Sequence, residues 1–139
     1  MIWDRIEKPV MTTEGPPIRR LADWDADALG DLADEYGTPL YVLDQKRVRE
    51  NVAALRAAFH DEAISYAVKA NTVRATLETV AETGLGAECA SAGELTRAVE
   101  AGFDRVRYTA VNPPARDLDR VVELVADPPR EDLDLVITV

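Results

Sequence analysis

The chain has 139 residues, of which 47% are hydrophobic, enough for one domain with a buried core. It carries 26 acidic against 16 basic residues, a net charge of −10. That excludes the basic face a nucleic-acid binder needs for its phosphate contacts, and no apolar run approaches the ~20 residues of a membrane span.

Residues 1–20 hold Pro9, Gly15, Pro16 and Pro17 with no apolar periodicity, so they are expected to form a flexible lead-in to a domain over 21–139. Met11 begins a segment that resembles a natural start. Asp25 is expected to cap a first helix with a stripe of Leu29, Leu32, Ala33 and Tyr36, ended by Gly37. Pro-Leu-Tyr-Val-Leu-Asp (39–44) predicts a short strand closing on Asp44, the cap of a second helix with Val48, Val52, Leu55 and Phe59 on one face. That helix is expected to stop near His60.

From there strands and helices alternate. Strands are predicted at 64–69, about 86–90, 106–110 and 133–139. Helices are predicted at about 73–83 and 92–101, stopped by Gly84 and Gly102, and after Pro113-Pro114 with Leu118, Val121, Val122 and Val125 buried. Such alternation means parallel strands joined by crossovers, in an open doubly wound sheet or an eight-fold barrel. The turn Lys69-Ala-Asn-Thr lacks Gly-x-Gly-x-x-Gly, which weakens the dinucleotide-binding open sheet. A barrel takes ~250 residues, so the chain is either a partial barrel, truncated after about four strands, or something other than a barrel. The abrupt end inside Leu-Val-Ile-Thr-Val favours an amino-terminal fragment.

Lysine is scarce: thirteen arginines accompany three lysines, at 8, 46 and 69. Lys69 stands at the carboxyl end of a predicted strand, where parallel α/β folds gather catalytic groups. Strand alternation puts Ser65, Ala67 and Lys69 on one face, the first two small enough to leave room. Poor solvation there would favour the neutral amine, which attacks aldehydes. The alternative is a lysine that snorkels from the strand end into water.

Three segments carry a resemblance: Tyr-Gly-Thr-Pro-Leu-Tyr-Val-Leu-Asp (36–44), Ile-Ser-Tyr-Ala-Val-Lys-Ala-Asn (64–71) and Glu-Cys-Ala-Ser-Ala-Gly-Glu-Leu (88–95). In order and spacing they resemble the amino-terminal region of the ornithine/diaminopimelate/arginine decarboxylases. Those enzymes use pyridoxal 5'-phosphate (PLP) on an alanine-racemase-like barrel. The resemblance covers about residues 25–139 and is greatest to the diaminopimelate decarboxylases.

It implies an α/β fold that is part of a (β/α)8 barrel, with Lys69 as catalytic Schiff-base lysine. Glu88 stands where the family usually has an aspartate near the cofactor lysine, so it is expected to bind the cofactor. It also implies decarboxylation of an amino acid, meso-diaminopimelate to lysine first, by a homodimer. The glycine-rich phosphate loop, the acid facing the ring nitrogen and a β domain would lie beyond Val139, so the chain alone is expected to be inactive. Ornithine, arginine or carboxynorspermidine decarboxylases share the motifs. Tyr108-Thr-Ala-Val-Asn-Pro-Pro departs from the glycine-asparagine-lysine segment of most diaminopimelate decarboxylases and resembles ornithine-type relatives and salt-loving archaeal sequences. An alanine racemase fits less well, and a non-catalytic binding module is the remaining rival.

Other residues have local explanations. Ser91-Ala-Gly-Glu94 reads as a capping box, Ser91 capping a helix and Glu94 reaching back to its amide. Cys89 reads as a buried, inert small hydrophobe, and a lone cysteine fits a reducing cytoplasm. A charged opening segment without a secretory pattern agrees with a cytoplasmic location. His60 has no nearby metal-ligand partner in sequence, so no metal is expected. Many aspartates with few lysines resemble the surface of a salt-adapted protein.

Overall fold

The computed structural model describes residues 17–59 and 64–138. His60, residues 1–16 of the expected lead-in and Val139 lie outside them.

Two helices come first, α1 (Ala26–Tyr36) and α2 (Gln45–Ala58). Each starts on an aspartate. The Asp25 carboxylate accepts from the amides of Asp27 and Ala28, and Asp44 accepts from that of Lys46, satisfying amides that have no partner inside the helix. Asp44 also accepts from the Ile18 amide, and Arg19 pairs with Glu50, so residues just before α1 are tied to α2.

The strand expected at 39–44 does not form. Among the described residues the segment has no sheet neighbour, and Tyr41 is fully exposed. Its apolar alternation fits a strand, but a strand also needs a ladder for its backbone groups, and none lies alongside.

The alternating series follows: β1 (Ser65–Ala67), a 3-10 helix (Val68–Ala70), α3 (Arg74–Ala81), β2 (Gly86–Cys89), α4 (Ala92–Glu100), β3 (Arg105–Thr109), α5 (Ala115–Ala126) and β4 (Asp134–Thr138). The strands form one parallel sheet in the order β1-β2-β3-β4. Gly84 and Gly102, with φ of 77° and 91°, take the left-handed conformation that ends α3 and α4 at low steric cost.

Among the described residues one face of this sheet is packed and the other is bare. Ala87, Cys89, Val106 and Tyr108 are fully buried against Leu77 and Val80 of α3, Leu95 and Ala98 of α4, and Val121 and Leu124 of α5. Phe103, between α4 and β3, completes this core. Each large apolar side chain withdrawn from water contributes about 1.5–3 kcal/mol. On the opposite face Ser65, Arg107, Thr109, Asp134, Val136 and Thr138 are exposed, and Ala67, Glu88 and Arg105 are half-buried.

A doubly wound sheet reverses its strand order and covers both faces. Sequential strand order with the packed helices on one face is barrel winding, so the fold is part of a (β/α)8 barrel.

Two expected stripes are corrected. On α5, Val121 and Leu124 are buried, while Leu118, Val122 and Val125 are 37%, 65% and 54% exposed. The helix touches the sheet layer along a narrow three-residue spacing, and the wider apolar stripe runs past it. On α2 only Val52 is buried, and Leu55 and Phe59 face outward.

Candidate active site

The carboxyl edge of the sheet gathers the residues singled out from the sequence. β1 is shorter than expected and stops at Ala67. Val68 is then drawn completely into the core, and the chain turns into the 3-10 helix instead of continuing the strand. The Tyr66 hydroxyl donates to the Asn71 carbonyl at 3.2 Å, and Asn71 Oδ1 accepts from the Val73 amide at 2.9 Å, closing the turn.

Lys69 therefore sits on a turn just past the strand, and its side chain is exposed. The poor solvation expected of a strand lysine is absent, because the turn lifts the residue off the pleat. The turn packs against β2 and α4, which keeps Lys69 at the carboxyl edge. Among the described residues no carboxylate pairs with its ammonium.

Glu88 lies on β2, half-buried, with Ala67 beside it on β1 and Arg107 beside it on β3. Register partners on parallel strands project from the same face, so Glu88 belongs to the bare side. No ion pair joins it to Lys69 among the described residues.

Behind Glu88, Ser91 caps α4 by accepting from the Glu94 amide at 3.3 Å. Glu94 Oε2 takes the Ala90 amide at 2.9 Å, one residue earlier than the Ser91 amide expected of a capping box. The Asp117 carboxylate of α5 approaches the Ala92 amide at 3.4 Å, joining the starts of the two helices. Sequence reading missed this link because its partners are 25 residues apart.

Cys89 faces away from this surface, into the core, and is fully buried. Burial, with smaller contributions from Glu94 and Glu88, pushes its thiol up to about 12. Tyr108, next to it on β3, is also fully buried, and its hydroxyl has no hydrogen-bond partner among the described residues. Burial and the nearby Asp117 carboxylate raise the pKa of this phenol.

An accessible primary amine at the carboxyl edge of a parallel sheet, beside a carboxylate on an open face, can condense with an aldehyde cofactor. A profile of the family described as "Pyridoxal-dependent decarboxylase, pyridoxal binding domain" matches residues 45–126. The chain belongs to this family.

Among curated relatives, it is 48% identical over 93 residues to a diaminopimelate decarboxylase of Methanothermobacter thermautotrophicus, covering 63% of this chain and 22% of that protein. It is 40% identical over 93 residues to the diaminopimelate decarboxylase of Aquifex aeolicus, covering 66% and 22%. Its fold matches a crystal structure of Helicobacter pylori diaminopimelate decarboxylase complexed with L-lysine, with a TM-score of 0.63 and 25% identity over 80% of this chain and 28% of that one. The chain thus spans between a fifth and a third of the length of these relatives. Among its described residues no helix is long and apolar enough to cross a membrane.

Proposed function

We propose that this chain is the lysine-bearing segment of a PLP-dependent decarboxylase that converts meso-diaminopimelate to lysine. The single observation that supports this most is the exposed Lys69 on a turn at the carboxyl edge of β1, within the span matched by the pyridoxal binding domain. The diaminopimelate decarboxylases among its relatives support the substrate.

The residues present fit the cofactor. Lys69 offers an open amine, Ala67 and Ala70 leave space around it, and Glu88 supplies a carboxylate on the adjacent strand. When bound, PLP supplies an electron sink for the charge left by departing carbon dioxide. In this reading Lys69 is the covalent anchor between turnovers and moves protons at its Nζ. Glu88 holds an acidic group beside the cofactor. The capped start of α4 stiffens the loop that follows β2, which keeps Glu88 at a fixed height on the sheet.

The complete enzyme is a cytoplasmic homodimer in this reading, and the acidic, arginine-rich surface suits a salt-rich interior. Because the chain covers only part of its relatives, its activity depends on segments beyond those described. The test is borohydride reduction of the full-length protein with PLP, followed by peptide mapping. Label on Lys69 is the expected result; label elsewhere, or none, overturns it. Carbon dioxide release from meso-diaminopimelate compared with ornithine and arginine decides the substrate.

A further inference from the structure

The open face of the sheet holds charged residues besides Glu88 that the proposed chemistry has not used, and one of them is its neighbour. Arg107 is the register partner of Glu88 on β3. Adjacent strands lie about 4.8 Å apart, and the two side chains leave from the same side of the pleat. The other members of their row are Ala67 on β1 and Val136 on β4, neither of which carries charge. Arg105, two residues earlier, is turned toward the opposite edge, donating to the Gly84 carbonyl at 3.2 Å. Among the described residues Glu88 and Arg107 form no ion pair, with each other or with any other group, so register alone brings them together. Arg107 is exposed and its long side chain is free to swing toward its neighbour.

We propose that Arg107 is a positioning residue that pairs with Glu88 across β2 and β3 and fixes its carboxylate on the open face. The role of Glu88 toward the cofactor rests on the function proposed above; the pairing itself does not. Two considerations carry it. A carboxylate covered on this face loses water and needs a countercharge to remain in place. Of the other cations at this edge, Arg74 and Arg116 pair with Glu78 and Asp117, and the Lys69 nitrogen is committed once it holds a cofactor covalently. That leaves the Arg107 guanidinium, which stays protonated in any surroundings and whose planar fork matches a carboxylate.

The experiment is a double-mutant cycle in the full-length protein: Glu88→Gln, Arg107→Gln and the two combined, with Arg107→Lys as the conservative variant. PLP affinity and the urea unfolding equilibrium are both measured. Each single glutamine variant is expected to weaken PLP binding about fivefold, with the combined variant no weaker than the worse single one. Arg107→Lys, which keeps the charge without the planar fork, is expected to recover part of the loss. Salt at about 1 M is expected to shrink the Arg107→Gln effect, which a purely steric role for Arg107 would not produce. If Arg107→Gln does not fold, Arg107→Thr keeps the cycle available, because strands favour threonine.

Multiplicative losses in both measurements overturn the pair while leaving PLP on Lys69 intact. Absence of PLP from Lys69 in the unsubstituted protein overturns the cofactor reading instead. In that case coupling in the unfolding measurement keeps the pair, and additivity there removes it.

Discussion

At the scale of single residues, Cys89 shows how packing sets chemistry. Its sulfur lies in the core between the sheet and α4, where ionisation would put a charge among apolar groups. Its pKa accordingly rises from the ordinary 9.0 to about 12. The folded thiol is therefore expected to resist a disulfide reagent at pH 8, and the urea-unfolded chain to react at the rate of a free cysteine. Equal rates in the two states would refute this. The same shift has a consequence for stability. Above pH ~8.5 the unfolded thiol loses its proton while the folded one keeps it, so the unfolded state binds fewer protons and stability falls. The loss from this group runs up to about 1.4 kcal/mol per pH unit until the folded thiol also titrates. The raised Tyr66 and Tyr108 phenols add to the decline in the same direction at higher pH. Urea titrations at successive pH values from 7 upward check the slope, and stability that stays level or rises would contradict it.

At the scale of elements, two glycines separate backbone cost from packing. Gly30 lies within α1, and a Cβ added there meets nothing within 4 Å. Gly30→Ala should stabilise by about 0.5–1 kcal/mol, the helix cost of glycine. Gly86 begins β2, where an added Cβ would lie 3.2 Å from Ser65 Oγ and 3.4 Å from the Arg105 carbonyl. The strands on both sides close on it, so Gly86→Ala should cost about 1–3 kcal/mol. Urea midpoints for the two variants are expected to move in opposite directions. Local signals made most of these elements readable in advance: the Asp25 and Asp44 caps, the glycines ending α3 and α4, and the strand spacing after residue 63 all survive folding. What local pattern could not express was partnership. Residues 39–44 alternate like a strand but have no ladder, and Lys69 leaves its strand because the core captures Val68. Likewise Glu88 was identified through its motif, whereas Arg107 became visible only through strand register.

At the scale of the molecule, the sheet and the charge pull in different directions. Among the described residues β1 and β4 each bond to one strand only, and the face bearing Glu88 and Arg107 has no helix packed on it. Open strand edges offer unpaired amides and carbonyls to other chains, so this architecture favours self-association. A net charge of −10 opposes it, because each chain repels its copies over roughly a Debye length. Ion pairs such as Arg49–Glu82 at 2.7 Å and Arg74–Glu78 at 2.8 Å are exposed and contribute little either way. Salt decides between the two tendencies. At about 0.01 M the Debye length is ~30 Å and repulsion reaches a whole neighbour, whereas at 1 M it is ~3 Å and only contact forces remain. The 139-residue chain is therefore expected to sediment near its 15.3 kDa monomer mass at low salt and as larger species in 1 M potassium chloride. A monomer under both conditions would mean that the edges are already protected and that the bare face needs no cover.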